Sequence, residues 1–153
     1  MTARIAYNKV APDALAAVFA LERQVRTSGL DHSLLHLVKL RASYMNGCAY
    51  CVDMHTQDAR QGGESEQRLF AIPVWRETPF FTARERAALA WTEVVTELGR
   101  AGVSDAAYDA VRREFSETEL VHLTLAVVTI NVWNRLAVAF RAEVGTYSPG
   151  GAG

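Results

Sequence analysis

From Pro12 to about Val144, apolar residues recur at every third or fourth position, and no segment alternates polar and apolar between hairpin turns. A period near 3.6 gives each segment one helical face to bury, whereas strict alternation would give a sheet. The chain is therefore expected to be all-α. Its 153 residues suffice for one domain with a sizeable core. Helix punctuation divides the pattern. Pro12-Asp13 opens a first helix carrying Leu15, Val18, Leu21 and Val25, and Ser28-Gly29 closes it. Ser33 is the expected N-cap of a second helix, interrupted at Asn46-Gly47, and a third runs from near Cys48 to Gln61. Ser65 opens a short helix ending before Pro73, and residues 73–81 form a loop whose Trp75, Phe80 and Phe81 need something to pack on. Thr82-Ala-Arg-Glu85 and Ser116-Glu-Thr-Glu119 read as capping boxes. The first starts a helix with Ala88, Trp91, Val95 and Leu98 on one face, and the second starts the longest helix, to about Val144. Between them, Ser104 or Asp105 starts a helix reaching Phe115. The expected organisation is an N-terminal helix within residues 1–28, a core of residues 29–145 and a Pro/Gly-rich, frayed tail over residues 146–153.

The formal net charge is −1, with no basic tract to serve as a footprint for nucleic acid or anionic lipid. No secretory leader is legible at the start. The longest apolar stretch, Leu123 to Val132, carries Thr124, Thr129 and Asn131 and falls short of the roughly 20 residues that span a bilayer. A cytoplasmic protein with no membrane or nucleic-acid partner is the expectation. Only two cysteines occur, three residues apart, which is too few for a disulfide scaffold. In a reducing compartment that spacing leaves redox chemistry or metal binding.

The stretch Asn46-Gly-Cys-Ala-Tyr-Cys-Val-Asp-Met-His55 carries the chemistry. A break followed by CxxC puts the cysteines on a first helical turn, where unpaired backbone N–H groups favour an anion and lower a thiol pKa. That effect is worth about 1 kcal/mol, so a larger shift requires a neighbouring imidazole. His55 follows Cys51 by four residues and Cys48 by seven, which places all three on one helical stripe. Residues three apart on a helix have Cα atoms roughly 5 Å apart, within disulfide range. His36 and His32 lie on the preceding helix, twelve and sixteen residues before Cys48, and a crossing of the two helices at Asn46-Gly47 can bring His36 to the cysteines. His32 and His122 read as surface and packing histidines. Tyr50 and Asp53 can gate or polarise the site, or serve as a packing aromatic and a solvated acid.

Beyond this block stand Leu37-Val-Lys-Leu-Arg-Ala-Ser43, Ala59-Arg60, Gly63, Trp75-Arg-Glu, Arg86-Ala-Ala-Leu-Ala-Trp-Thr-Glu93 and Asn131-Val-Trp-Asn-Arg-Leu136. Together these residues resemble the AhpD-like alkylhydroperoxidase family of the carboxymuconolactone decarboxylase superfamily, from about Leu30 to Val144. The resemblance implies an all-helical fold that assembles into homo-trimers or hexamers. It also implies reduction of a peroxide by the cysteine pair, recycling by a dithiol or disulfide-reductase donor, and no bound organic cofactor. By position, Cys51 would be the peroxidatic cysteine, Cys48 its proton donor and resolving partner, and His55 part of the proton relay. Decarboxylase members typically lack the CxxC, which sets that activity aside. Two positions depart from the family: His36 stands where a glutamate is usual, and Tyr50 where some members carry a histidine.

His36 opens an alternative from another class. Cys48, Cys51, His55 and His36 make a Cys₂His₂ set, the ligand count of a structural zinc, although C-x₂-C-x₃-H on one helical stripe is unlike a zinc finger. A sensor whose cysteines oxidise once without turnover is a third reading. The expected catalytic residues are Cys51, Cys48, His55 and His36.

Overall fold

The computed structural model describes residues 2–150, and among them it is all-helical, with no strand. The elements are α1 (Tyr7–Val10), α2 (Pro12–Arg26), α3 (His32–Met45), α4 (Ala49–Gln61), α5 (Glu66–Ala71), a 3₁₀ helix (Ile72–Glu77), α6 (Ala83–Thr96), α7 (Asp105–Arg112) and α8 (Glu117–Phe140). Both capping boxes form: Thr82 accepts from the Glu85 N–H and Ser116 from the Glu119 N–H, while each glutamate reaches back to the cap's own N–H. The α3 cap is Asp31 rather than Ser33. Asp31 accepts from the Leu34 N–H at 3.2 Å, while the Ser33 hydroxyl turns to Glu64 at 3.1 Å. A carboxylate two residues earlier is at least as good an N-cap as a hydroxyl, and it wins.

Four other boundaries differ from expectation. Residues 73–81 are not all loop, because Pro73 sits at the start of a 3₁₀ helix that buries Trp75. The Trp75 Nε1 donates to Glu93 Oε1 at 2.8 Å, so the bulky segment packs on α6. The α6 helix ends at Thr96 and leaves Leu98 60% exposed, off the apolar face assigned to it. The α7 helix ends at Arg112, with Phe115 buried beyond it. The α8 helix stops at Phe140 because Arg141 takes a left-handed conformation (φ 56°), and the chain then folds back as a strap rather than continuing to Val144. The α1 turn carries no buried residue and left no periodic signal to read.

Helix α3 is the spine of the domain, packed against α4, α6 and α8. Its middle, from Leu34 to Ser43, is largely buried, so it separates two apolar layers. Leu34, Leu35 and Val38 join Trp91, Phe115, Leu123 and Val127 on one side, and Leu37 and Leu40 join Leu69, Ile72, Trp75 and Leu89 on the other. Each such side chain contributes about 1.5–3 kcal/mol when withdrawn from water. Helix α8 has the length and hydropathy of a membrane span, yet it packs centrally, against α2, α3, α4, α6 and α7.

Where α3 ends, the core turns polar. Asn46 Nδ2 donates to Asn131 Oδ1 at 3.0 Å and to Asn134 Oδ1 at 2.9 Å, tying the helix end to α8. Asn134 Nδ2 donates to Ser43 Oγ at 3.0 Å, and Asn131 Nδ2 donates to Thr96 Oγ1 at 3.0 Å. Asn134 and Ser43 are wholly buried, so each bond lost leaves a desolvated group unpaired. Asn134→Ala is expected to lower the unfolding free energy by about 2 kcal/mol in a denaturant titration. A loss under about 0.5 kcal/mol would show that this cluster does not hold the two helices together.

Candidate active site

Gly47 adopts a positive φ of 65°, which lets the chain leave α3 and start α4 across three residues. The Cys48 N–H donates to the Ser43 carbonyl at 3.0 Å, fixing this turn to the last turn of α3. Cys48 is the N-cap of α4, and its sulfur accepts from the Cys51 N–H at 3.3 Å. Of the two cysteines expected on the first turn, Cys51 lies there and Cys48 stands just outside it as the cap. The two cysteines form a disulfide across Cα atoms 5.3 Å apart, and both are at most 2% exposed. Ala42, Ile130 and Ala137 pack around them, with Tyr50 and Trp133 at the edge. A cleft of about 790 Å³ reaches the pair from the Cys48 side, walled in part by Gly47, Tyr50, Ala137 and Arg141.

His55 lies one turn beyond Cys51, 6% exposed, and neither ring nitrogen has a hydrogen-bond partner. Its nearest carboxylate is Asp58, whose Oδ2 is 3.9 Å from Nδ1. Burial holds the His55 pKa well below its ordinary value, and Lys39 and His36 on α3 push it lower. The imidazole is neutral at pH 7 in the oxidised protein. His36 is half-buried with an unpartnered Nδ1, and burial and then Lys39 lower its pKa as well, against the opposing pull of Asp58 and Glu64. The crossing of α3 and α4 therefore brings His36 into the field of His55. It does so as a neutral imidazole, not as the imidazolium that could stabilise a thiolate by charge. Lys39 is buried and ion-paired to Glu22 of α2, a cation that sequence reading passed over.

His32 is exposed, as expected. Tyr50 is half-buried at the cleft, and burial, then Asp53, raises its pKa. Asp53 is not a freely solvated acid: Oδ1 accepts from Gln57 Nε2 and Oδ2 from the Gly145 N–H, both at 3.1 Å. Asp58 and Tyr147 were missed. The Tyr147 hydroxyl donates to Asp58 Oδ1 at 2.6 Å, which seats the chain on α4 inside the stretch from residue 146 expected as a flexible tail. Asp58 was legible, since it follows His55 by three and Cys51 by seven on the same stripe. Tyr147 lies 89 positions further on and left no local signal. Among the described residues no three His, Cys, Asp or Glu side chains gather as metal ligands, so the geometry does not assemble the Cys₂His₂ set.

The model of the carboxymuconolactone decarboxylase family matches residues 12–94. The chain belongs to that family. Its all-α fold is the AhpD-like one. The uncharacterised protein YdfG of Bacillus subtilis is 38% identical over 139 residues, covering 91% of this chain and 95% of its own. A solved structure from Agrobacterium tumefaciens, of a protein of unknown function thought to be the antioxidant defence protein AhpD, is 47% identical with a TM-score of 0.92, covering 95% of this chain and all of that one. The AhpD core of a peroxidase-related protein from Ralstonia eutropha shares the fold at 20% identity, with a TM-score of 0.80 over 91% of this chain and 74% of that one. An AhpD-like fold with a CxxC pair at disulfide distance is consistent with antioxidant redox function.

The buried neutral histidine of this AhpD-like chain has a thermodynamic consequence. His55 in the folded protein resists a proton that the unfolded chain takes up near pH 6.5, so its contribution to stability is complete above that pH and is lost as pH falls. The oxidised protein should lose stability from about pH 7 to pH 5, by up to ~1.4 kcal/mol per pH unit from His55, with His36 acting in the same direction. Glu85 and Glu93, held below the usual carboxylate range despite burial by Arg68 and by Arg76 with Trp75, add their loss only at lower pH. Urea titrations of wild type and His55→Gln should show the shallower acid slope in the variant. Equal slopes would place His55 outside the acid response.

Proposed function

We propose that this protein is a thiol peroxidase that reduces hydroperoxides, alkyl hydroperoxides among them, through the Cys48–Cys51 pair. The observation that carries the reading is a buried disulfide at the start of α4 with an unpartnered neutral imidazole one turn on. An imidazole with no structural partner is free to take a thiol proton, and a helix-start sulfur is favoured as thiolate by about 1 kcal/mol.

Cys51, as thiolate, attacks the peroxide's distal oxygen. The O–O bond breaks, the alkoxide leaves with a proton as alcohol, and Cys51 becomes a sulfenic acid. The Cys48 thiol attacks that sulfur and water departs, which leaves the disulfide. A dithiol donor then returns two electrons and two protons by exchange and is itself oxidised to a disulfide. His55 accepts and returns the thiol proton, and His36 supports it from α3 as a neutral acceptor in place of a carboxylate. No organic cofactor takes part. The same reading makes the protein a cytoplasmic homo-oligomer, trimer or hexamer. The exposed Val121 and Val128 of α8, together with Phe70 and Val74, supply apolar surface for subunit contacts.

Peroxide consumption with a dithiol donor tests this directly. Cys51→Ser should fall to the uncatalysed background, and Cys48→Ser should oxidise once and stall. Wild-type turnover in both variants would refute the assignment. His36→Glu should raise the pKa of the reactive thiol, because a buried carboxylate places negative charge near a forming thiolate where neutral imidazole places none. Thiolate absorbance titrated against pH reads the order, and a lower pKa in the variant would overturn it.

A further inference from the structure

The C-terminal strap makes two hydrogen bonds to α4, and both acceptors are carboxylates. The Gly145 N–H donates to Asp53, and the Tyr147 hydroxyl donates to Asp58 at 2.6 Å. Asp58 is the more informative of the two. One of its oxygens is held by Tyr147, while the other lies 3.9 Å from His55 Nδ1. That nitrogen is buried and unpartnered, and so is His55 Nε2. The Tyr147 pKa is pushed up to about 12 by burial and then by Asp58, so the tyrosine keeps its proton and donates a hydrogen bond to that carboxylate.

We propose that Tyr147 is a positioning residue that holds Asp58 beside His55, completing a Cys51–His55–Asp58 proton-transfer chain. The inference rests on Cys51 being the reactive thiol. In the reduced protein the Cys51 S–H gives its proton to His55 Nε2, and the sulfur keeps the electron pair. The imidazolium so formed carries a proton on Nδ1 that needs an acceptor. Asp58 Oδ2 supplies it once the 3.9 Å separation closes to hydrogen-bond length, about 2.9 Å.

The surroundings of His55 show why the acceptor must be fixed. From α3 it faces Lys39 and His36, both of which disfavour its charged form, and the Glu22 carboxylate that offsets Lys39 is engaged with that lysine. Glu64 acts on His36, and Tyr50 lies toward Tyr147. Asp58 is the carboxylate within 4 Å of the ring, and its side chain is 25% exposed. Left free, it would turn to water. The tyrosine hydroxyl stops it from doing so.

Alkylation of the reduced protein with iodoacetamide, mapped to Cys51 by mass spectrometry across a pH series, reads this proton balance without any peroxide. Tyr147→Phe keeps the ring and removes only the hydroxyl. It should raise the apparent pKa of Cys51 and slow alkylation at pH 7 at least about threefold, half a pKa unit or more. Asp58→Asn should shift the profile the same way, and Tyr147→Phe should add nothing in the Asp58→Asn background, because the tyrosine acts through that carboxylate. An unshifted or lowered profile in Tyr147→Phe, or a shift that persists when Asp58 is already Asn, would overturn the proposal. Either result with peroxide turnover intact would leave the peroxidase reading standing. Loss of that reading would instead appear as a wild-type protein that alkylates normally but consumes no peroxide.

Discussion

The amide cluster at the end of α3 is the joint on which the site depends. The chain must change direction between α3 and α4 within three residues, and nothing in a Gly-containing turn fixes the angle by itself. Asn46 fixes it by donating to two asparagines of α8 at once, and Ser43 holds both the cluster and the Cys48 N–H. The α4 N-terminus is thereby set against α8, and the Cys48–Cys51 pair lands among Ala42, Ile130 and Ala137. A polar cluster in an otherwise apolar core is tolerable because its members find partners. The same bonds specify one crossing of the helices over the others an apolar joint would allow.

Desolvation then decides the chemistry. Burying His55 without a partner costs stability as pH falls, yet it keeps a neutral, unpartnered imidazole one turn from Cys51. Lys39 and His36 reinforce that state from α3. In the proposed chemistry a histidine at position 36 fits this setting, since a neutral imidazole would accept a proton without adding negative charge beside a thiolate. Strain between stability and function falls where it is expected, on unsatisfied groups at the site rather than in the two apolar layers.

The parts legible in the sequence are those governed by local rules. Both capping boxes, the Ser65 cap and the Gly62-Gly63 stop depend on side chains within three or four residues, and they stand where the pattern put them. The placing of His55 one turn beyond Cys51 on α4 follows from helical spacing, while Cys48 caps that helix from outside it. Competition between neighbouring caps was not legible, so Asp31 displaced Ser33. Nor was the left-handed Arg141, which carries no glycine signal and yet ends α8 four residues early and turns the chain back toward α4. Tyr147, Lys39 and the Asn46–Asn134 bond are tertiary facts. Their partners lie 17 to 89 positions away, beyond the reach of any periodicity.

The central claim is that Cys51 takes oxygen from a peroxide and Cys48 resolves it. Its most direct test is chemical trapping of the intermediate. Cys48→Ser protein treated with one equivalent of an alkyl hydroperoxide and then dimedone should carry one adduct, on Cys51, by mass spectrometry. No adduct on Cys51, or an adduct on Cys48 in the reciprocal Cys51→Ser protein at the same rate, would contradict the account.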